Sequence, residues 1–160
     1  MRHLVVFLVS ALFVCAPAGP STRAFAADAT DTKWVLIVVK TLNFVNRKPA
    51  PDAKVVVVGN AADLATAQSS LAEMTVTEGK AGDAAGAYAI FVNTADEARA
   101  AHAANSAILI IGSNESCVEA GACVLAVETQ PKVTIYVSRA AAQAAGTEFD
   151  PNFKMMITEK

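Results

Sequence analysis

Short apolar runs that end in glycine or asparagine recur through the middle of the chain. Lys54-Val55-Val56-Val57-Val58-Gly59 is β-branched without polar alternation, the mark of a strand buried on both faces. Tyr88-Ala89-Ile90-Phe91-Val92 and Ala107-Ile108-Leu109-Ile110-Ile111-Gly112 repeat the pattern. After the first run, Asn60-Ala61-Ala62-Asp63 opens a helix that extends to about Glu73. Met74-Thr75-Val76-Thr77 reads as a further strand, and Gly79 to Ala87 as a Gly/Ala-rich loop. Thr94 or Asp96 caps an alanine-rich helix that ends near Ala104. Strand, helix, strand, strand, helix, strand predicts a single α/β domain. Its sheet is mostly parallel and Rossmann-like, with helices on its faces.

The last third changes style. Ala122 to Glu128 and Lys132 to Val137 read as strands joined by Thr129-Gln130-Pro131, which predicts a β-hairpin. Val133, Ile135 and Val137 alternate with Thr134 and Tyr136, so the second strand should expose one face, with Tyr136 on it. Ser138 caps a helix from Arg139 to Ala145 that stops at Gly146. Asp150 and Pro151 start a final helix through Met155, Met156 and Ile157. Residues 31–46 fit two templates. Trp34, Val38, Leu42 and Val45 fall at helical spacing, yet Trp34 to Val39 is an unbroken run that would serve as a strand.

The N-terminus alters the compartment. Arg2 and His3 precede an apolar stretch from Leu4 to Cys15, and Ala24-Phe25-Ala26 places small residues at −3 and −1 of a cleavage point. Residues 1–26 therefore read as a signal peptide, with residues 27–160 exported to the periplasm. An uncleaved anchor, cleavage after Ala18 and lipidation at Cys15 are the alternatives. Cleavage after Ala26 leaves Cys117 and Cys123. In an oxidising compartment two cysteines six apart in CVEAGAC can close a tight hairpin loop as a disulfide; the alternative is a pair of reduced thiols. The chain is 54% hydrophobic and 18% charged, with a net charge of −2, which excludes a disordered segment. Nothing in that balance provides an electrostatic footprint for nucleic acid.

Catalytic chemistry is sparse. Beyond the signal segment the one histidine is His102, inside ARAAHAAN, where it reads as a surface residue. Asp96 and Glu97 suit a helix start, and Glu115 and Glu119 read as a solvated rim around Cys117. GNAADL lacks the second and third glycines of a dinucleotide loop, and a lone C-x5-C lacks two metal ligands, so neither metal nor cofactor is expected. One constellation stands out: three strands end in small polar residues, at Asn60, Asn93 and Asn114. Ligands of open parallel sheets bind beyond the strand carboxyl ends, so these three could line a small-ligand crevice. The same residue types also simply turn a chain from strand to helix.

The order of these segments resembles the YfiR family of small periplasmic regulatory proteins. KTLNFVNR followed by KVVVVGNAADLATAQSSL is similar to the family's opening helix, strand and helix. CVEAGACVLAVETQPKVTIYVSRAAAQAAGTEFDPNFKMMITEK resembles its closing hairpin, K-x-alternating strand, alanine-bearing helix and terminal helix. Ser138 stands where the family usually has Asn, and FKMMITEK differs from its Leu-rich finish. The resemblance implies a helix for residues 31–46 and a non-catalytic module, often dimeric. It also implies that the module binds and represses a membrane-bound signalling protein, a diguanylate cyclase or a sensor kinase. Contact residues would come from exposed aromatic and methionine side chains, with Tyr136 and Trp34 foremost; Phe44, Phe153, Met155 and Met156 are further candidates. The competing expectation is a small periplasmic solute-binding protein that uses the crevice.

Overall fold

The computed structural model describes residues 31–160. The predicted signal segment, residues 1–26, lies outside them. Seven strands form one sheet in the order β2-β1-β3-β4-β5-β6-β7. They are β1 (Lys54–Val58), β2 (Thr75–Gly79), β3 (Ala89–Val92), β4 (Leu109–Gly112), β5 (Leu125–Glu128), β6 (Thr134–Val137) and β7 (Thr158–Glu159). The first five are mutually parallel. β6 returns antiparallel to β5 through the predicted hairpin, and β7 lies parallel to β6. The expected α/β architecture is thus present.

Alternate residues of the apolar strands feed two cores. Val55, Val57, Phe91, Leu109, Ile111 and Val127 face α1 (Lys33–Thr41), α2 (Ala61–Ser70), α5 (Arg139–Ala144) and α6 (Pro151–Lys154). Val56, Val58, Ile90, Val92 and Ile110 face α3 (Ala95–Ala104), α4 (Glu115–Glu119) and a 3-10 turn, Ala81–Ala84. This second covering layer is built from Ala84, Ala98 and Ala101, all fully buried, and small side chains let α3 approach the sheet closely. Among the described residues no helix is long and apolar enough to cross a membrane.

Residues 31–46 are helical, with α1 passing into a 3-10 turn at Leu42–Phe44. Trp34 lies 4% exposed beneath this helix, 5.8 Å from the Phe91 ring. Its expected role as a partner contact is therefore corrected to a core role. Three further expectations change. Val133 precedes the first ladder pair, Glu128↔Thr134, and is 55% exposed instead of turned inward. The final helix stops at Lys154, and Thr158–Glu159 becomes a strand. Cys117 and Cys123 are joined, Cα 5.3 Å apart, but the loop they close holds the end of α4 and the Gly121 turn (φ +66°) instead of a hairpin.

Candidate functional site

β1 is flanked by β2 on one side and β3 on the other, so the strand order reverses between β1 and β3. That reversal opens a crevice beyond the carboxyl ends of the strands, the place where such sheets bind ligands. A cavity of about 400 Å³ lies there, bounded by Gly59, Asn60, Asp63, Asn93, Glu97 and Ser113, with Asp31, Trp34 and Thr129 closing one side. Asn60 and Asn93 are brought together as expected. Asn114 is not a lining residue; Ser113 takes that place, and the Asn114 side chain instead donates to the Asn93 carbonyl at 2.9 Å.

Most polar groups of the crevice already serve the fold. The Asn60 side-chain oxygen caps α2, accepting from the Ala62 and Asp63 amides at 2.8 and 3.4 Å. Thr94 and Glu97 form a capping box at the start of α3; Glu97 Oε2 accepts from the Asn93 and Thr94 amides at 2.9 and 3.0 Å. The Asn93 side-chain amide donates to the Val58 carbonyl at 3.2 Å and to Asp63 at 3.3 Å. Gly59 sits at φ +89°, and a Cβ there would lie 3.6 Å from Glu97 Oε1. The strand-to-helix turns are therefore built from the very side chains that line the cavity.

Asp63 was legible in the sequence only as part of a helix opening. It is 1% exposed, and burial raises its carboxyl pKa, opposed by hydrogen bonds from Asn93 and Trp34. At the rim, the Thr129 hydroxyl donates to Asp31 and lowers that carboxyl. The lining carries three carboxylates and no lysine or arginine.

His102 is the single histidine among the described residues and lies on α3 outside the crevice lining. No group of three or more His, Cys, Asp or Glu side chains among the described residues is arranged to hold a metal. Glu115 and Glu119 stay solvent-accessible, Glu119 the more so, and both carboxylates pair with the Lys160 ammonium. Tyr136 is half-buried and packs on the α3–α4 side of the sheet, with the Lys160 ammonium 5.7 Å from its ring centre.

Exposed large apolar side chains lie elsewhere. Phe44 is 37% exposed and stacks on Phe153 of α6 at 5.2 Å. Met155 and Met156, in the turn that ends α6, are 79% and 60% exposed. Phe153 itself is 1% exposed and anchors the group to the core.

No family model and no curated protein matches the chain. Among solved structures, a conserved domain protein from Vibrio cholerae O1 biovar El Tor superposes with a TM-score of 0.57 at 14% identity. The match covers 80% of this chain and 59% of that one, so the chain spans less than two thirds of its neighbour's length. The likeness is one of fold.

Proposed function

We propose that the chain is a non-catalytic regulator, exported to the periplasm, that binds and represses a membrane-bound signalling protein by surface contact. The observation that carries this reading is the grouping of Phe44, Met155 and Met156 at the α6 end of the domain. Among the described residues, three of the five exposed large apolar side chains belong to it. Apolar side chains left in water beside a rigid aromatic base are what contact surfaces use as anchors, and a few anchors carry most of the binding energy. The disulfide suits an oxidising compartment, and the similarity to the YfiR family supplies the class of partner, a diguanylate cyclase or a sensor kinase.

The solute-binding reading draws on the cavity between β1 and β3. It has less support, because Asn60, Asn93 and Glu97 are engaged in capping and turn contacts. Alanine variants at Phe44, Met155, Met156 and Tyr136 should lose repression of the partner's output while keeping the circular dichroism of the parent. Folded alanine variants at Asn60 and Asn114 should keep it. The reverse pattern would overturn the contact reading and assign function to the crevice.

A further inference from the structure

The strand at the sheet's far edge is held in an unusual way. β7 pairs with β6 at two positions, Tyr136↔Thr158 and Val137↔Glu159, and neither of its residues is buried. Two backbone bonds extend it: the Lys160 amide donates to the Val137 carbonyl at 2.9 Å, and the Arg139 amide donates to the Lys160 carbonyl at 3.3 Å. The remaining polar contacts are ionic. The Lys160 ammonium pairs with Glu115 and with Glu119, 3.2 Å away, both on α4, and the Arg139 guanidinium pairs with Glu159. These side chains are between 28% and 71% exposed, so salt screens them.

Little else anchors the segment. Met155 and Met156 in the feeding turn leave no cavity if they move, and Ile157 is its one apolar side chain packed against the core. β6, by contrast, stays paired to β5 at four positions without β7. Lifting residues 157–160 would leave a formed strand with an open edge, and an open edge accepts an extended chain.

We propose that residues 157–160 are a displaceable strap, the placeholder for an extended segment of the regulated partner that adds to the edge of β6. The inference rests on the contact-regulation reading above. Charge selects the occupant. The uncovered floor would hold Tyr136 with Glu115 and Glu119 of α4, and Glu128 of β5 accepts from the Glu115 amide at 2.9 Å; Arg139 pairs instead with Glu159. An incoming strand therefore carries a lysine or arginine where Lys160 now sits, and an acidic residue there is repelled. Opening is local, because the ionic ties to be broken are few and exposed and Ile157 is the one core-packed apolar side chain released.

The test begins with the intact chain. Hydrogen exchange should show the Lys160 amide exchanging about tenfold faster in Lys160→Gln than in the parent, with the β1, β3 and β4 amides unchanged. Raising salt from about 20 mM to about 0.5 M should accelerate the same amide in the parent. A synthetic peptide of sequence MMITEK should then shift the Thr134 to Val137 amide resonances of a chain ending at Met156, saturably at about 1 mM, whereas MMITEE should not. If the shortened chain does not fold, the titration is run on Lys160→Gln, where the peptide competes with a weakened strap. A Lys160 amide as protected as the β1 amides, or no shift at Thr134 to Val137, overturns the strap and leaves the contact reading intact. A strap that opens and takes the peptide, in a chain whose Phe44, Met155 and Met156 variants still repress, overturns the contact reading alone.

Discussion

The Asn93 side-chain amide ties two strand ends together: it donates to the buried Asp63 carboxylate at 3.3 Å and to the Val58 carbonyl at 3.2 Å. A carboxyl that is 1% exposed must be kept paired, since an unpartnered buried polar group is costly. Asp63→Ala should therefore destabilise the domain by about 1–3 kcal/mol, because the Asn93 amide and the Trp34 indole N–H lose an acceptor. The titration adds a sign. Burial raises the folded-state pKa above the unfolded one. The associated stability is present in full below the ordinary carboxylate range and is lost as pH rises through the raised value. Asp63→Asn removes that loss, so its melting temperature should fall less between about pH 4 and neutrality than the parent's. Parallel melting profiles for the two proteins would show that Asp63 has the same pKa folded and unfolded, and that burial does not raise it.

Gly112 ends β4 beneath the disulfide. A Cβ there would collide with Cys117 Sγ and lie 3.1 Å from Cys123 Sγ. Gly112→Ala should cost about 1–3 kcal/mol by overpacking. In a Cys117→Ala, Cys123→Ala background the sulfurs are gone and that cost should shrink, which a double-mutant cycle by urea denaturation reads directly. Opening the ring in the Cys117→Ser, Cys123→Ser variant should itself cost about 2–2.5 kcal/mol, the loop-entropy value for so short a loop. Equal costs for Gly112→Ala in both backgrounds would remove the sulfur contact as the reason for glycine.

The pattern of apolar runs located six of the seven strands to within a few residues, because a strand buried on both faces leaves a contiguous β-branched signature. β7 left none: two exposed residues have no period, and what holds Thr158 and Glu159 is the chain's return to β6. α4 was missed for the same reason, since five residues around Cys117 carry little helical spacing. The crevice was half legible. Strand ends at Asn60 and Asn93 were visible, but which strands adjoin depends on β1 lying between β2 and β3. That order brings in Ser113, Asp63 and Glu97 and leaves Asn114 behind the wall. Alternation alone places Tyr136 on the less buried face; α4 packs over that face of β6, so the ring is half-buried.

Thr94 and Glu97 share one capping box, yet their losses should differ. Thr94→Ala frees one amide, that of Glu97 at 3.2 Å, and should cost about 1 kcal/mol. Glu97→Ala frees the Asn93 and Thr94 amides together and removes a negative charge from the first turn of α3, so it should cost more. Thermal melts of the two variants decide the order. A smaller loss for Glu97→Ala would mean that its carboxylate is not fully engaged in the cap and is available to the crevice.

The Glu115–Lys160 pair makes the last strand sensitive to acid. Hydrogen bonding from Lys160 lowers the Glu115 carboxyl below its ordinary value, and the same contact raises the Lys160 ammonium. Glu159 is lowered by Arg139 in the same way. For a carboxylate whose folded pKa is depressed, the stabilising contribution is present above the unfolded pKa and disappears as pH falls through the folded one. Protection of the Lys160 amide should therefore hold near neutrality and fade below the carboxylate range, ahead of any change in the β1 amides. Lys160→Gln should return the Glu115 titration, followed by its side-chain carboxyl resonance, toward the ordinary carboxylate value. Glu119 lies 3.2 Å from the same ammonium, so Glu115→Gln should weaken the clamp without abolishing it, and Glu115→Gln with Glu119→Gln should match Lys160→Gln. An unchanged Glu115 titration in Lys160→Gln would show that the ion pair is not formed in solution, and the acid sensitivity of β7 would then have to come from Glu159 and Arg139.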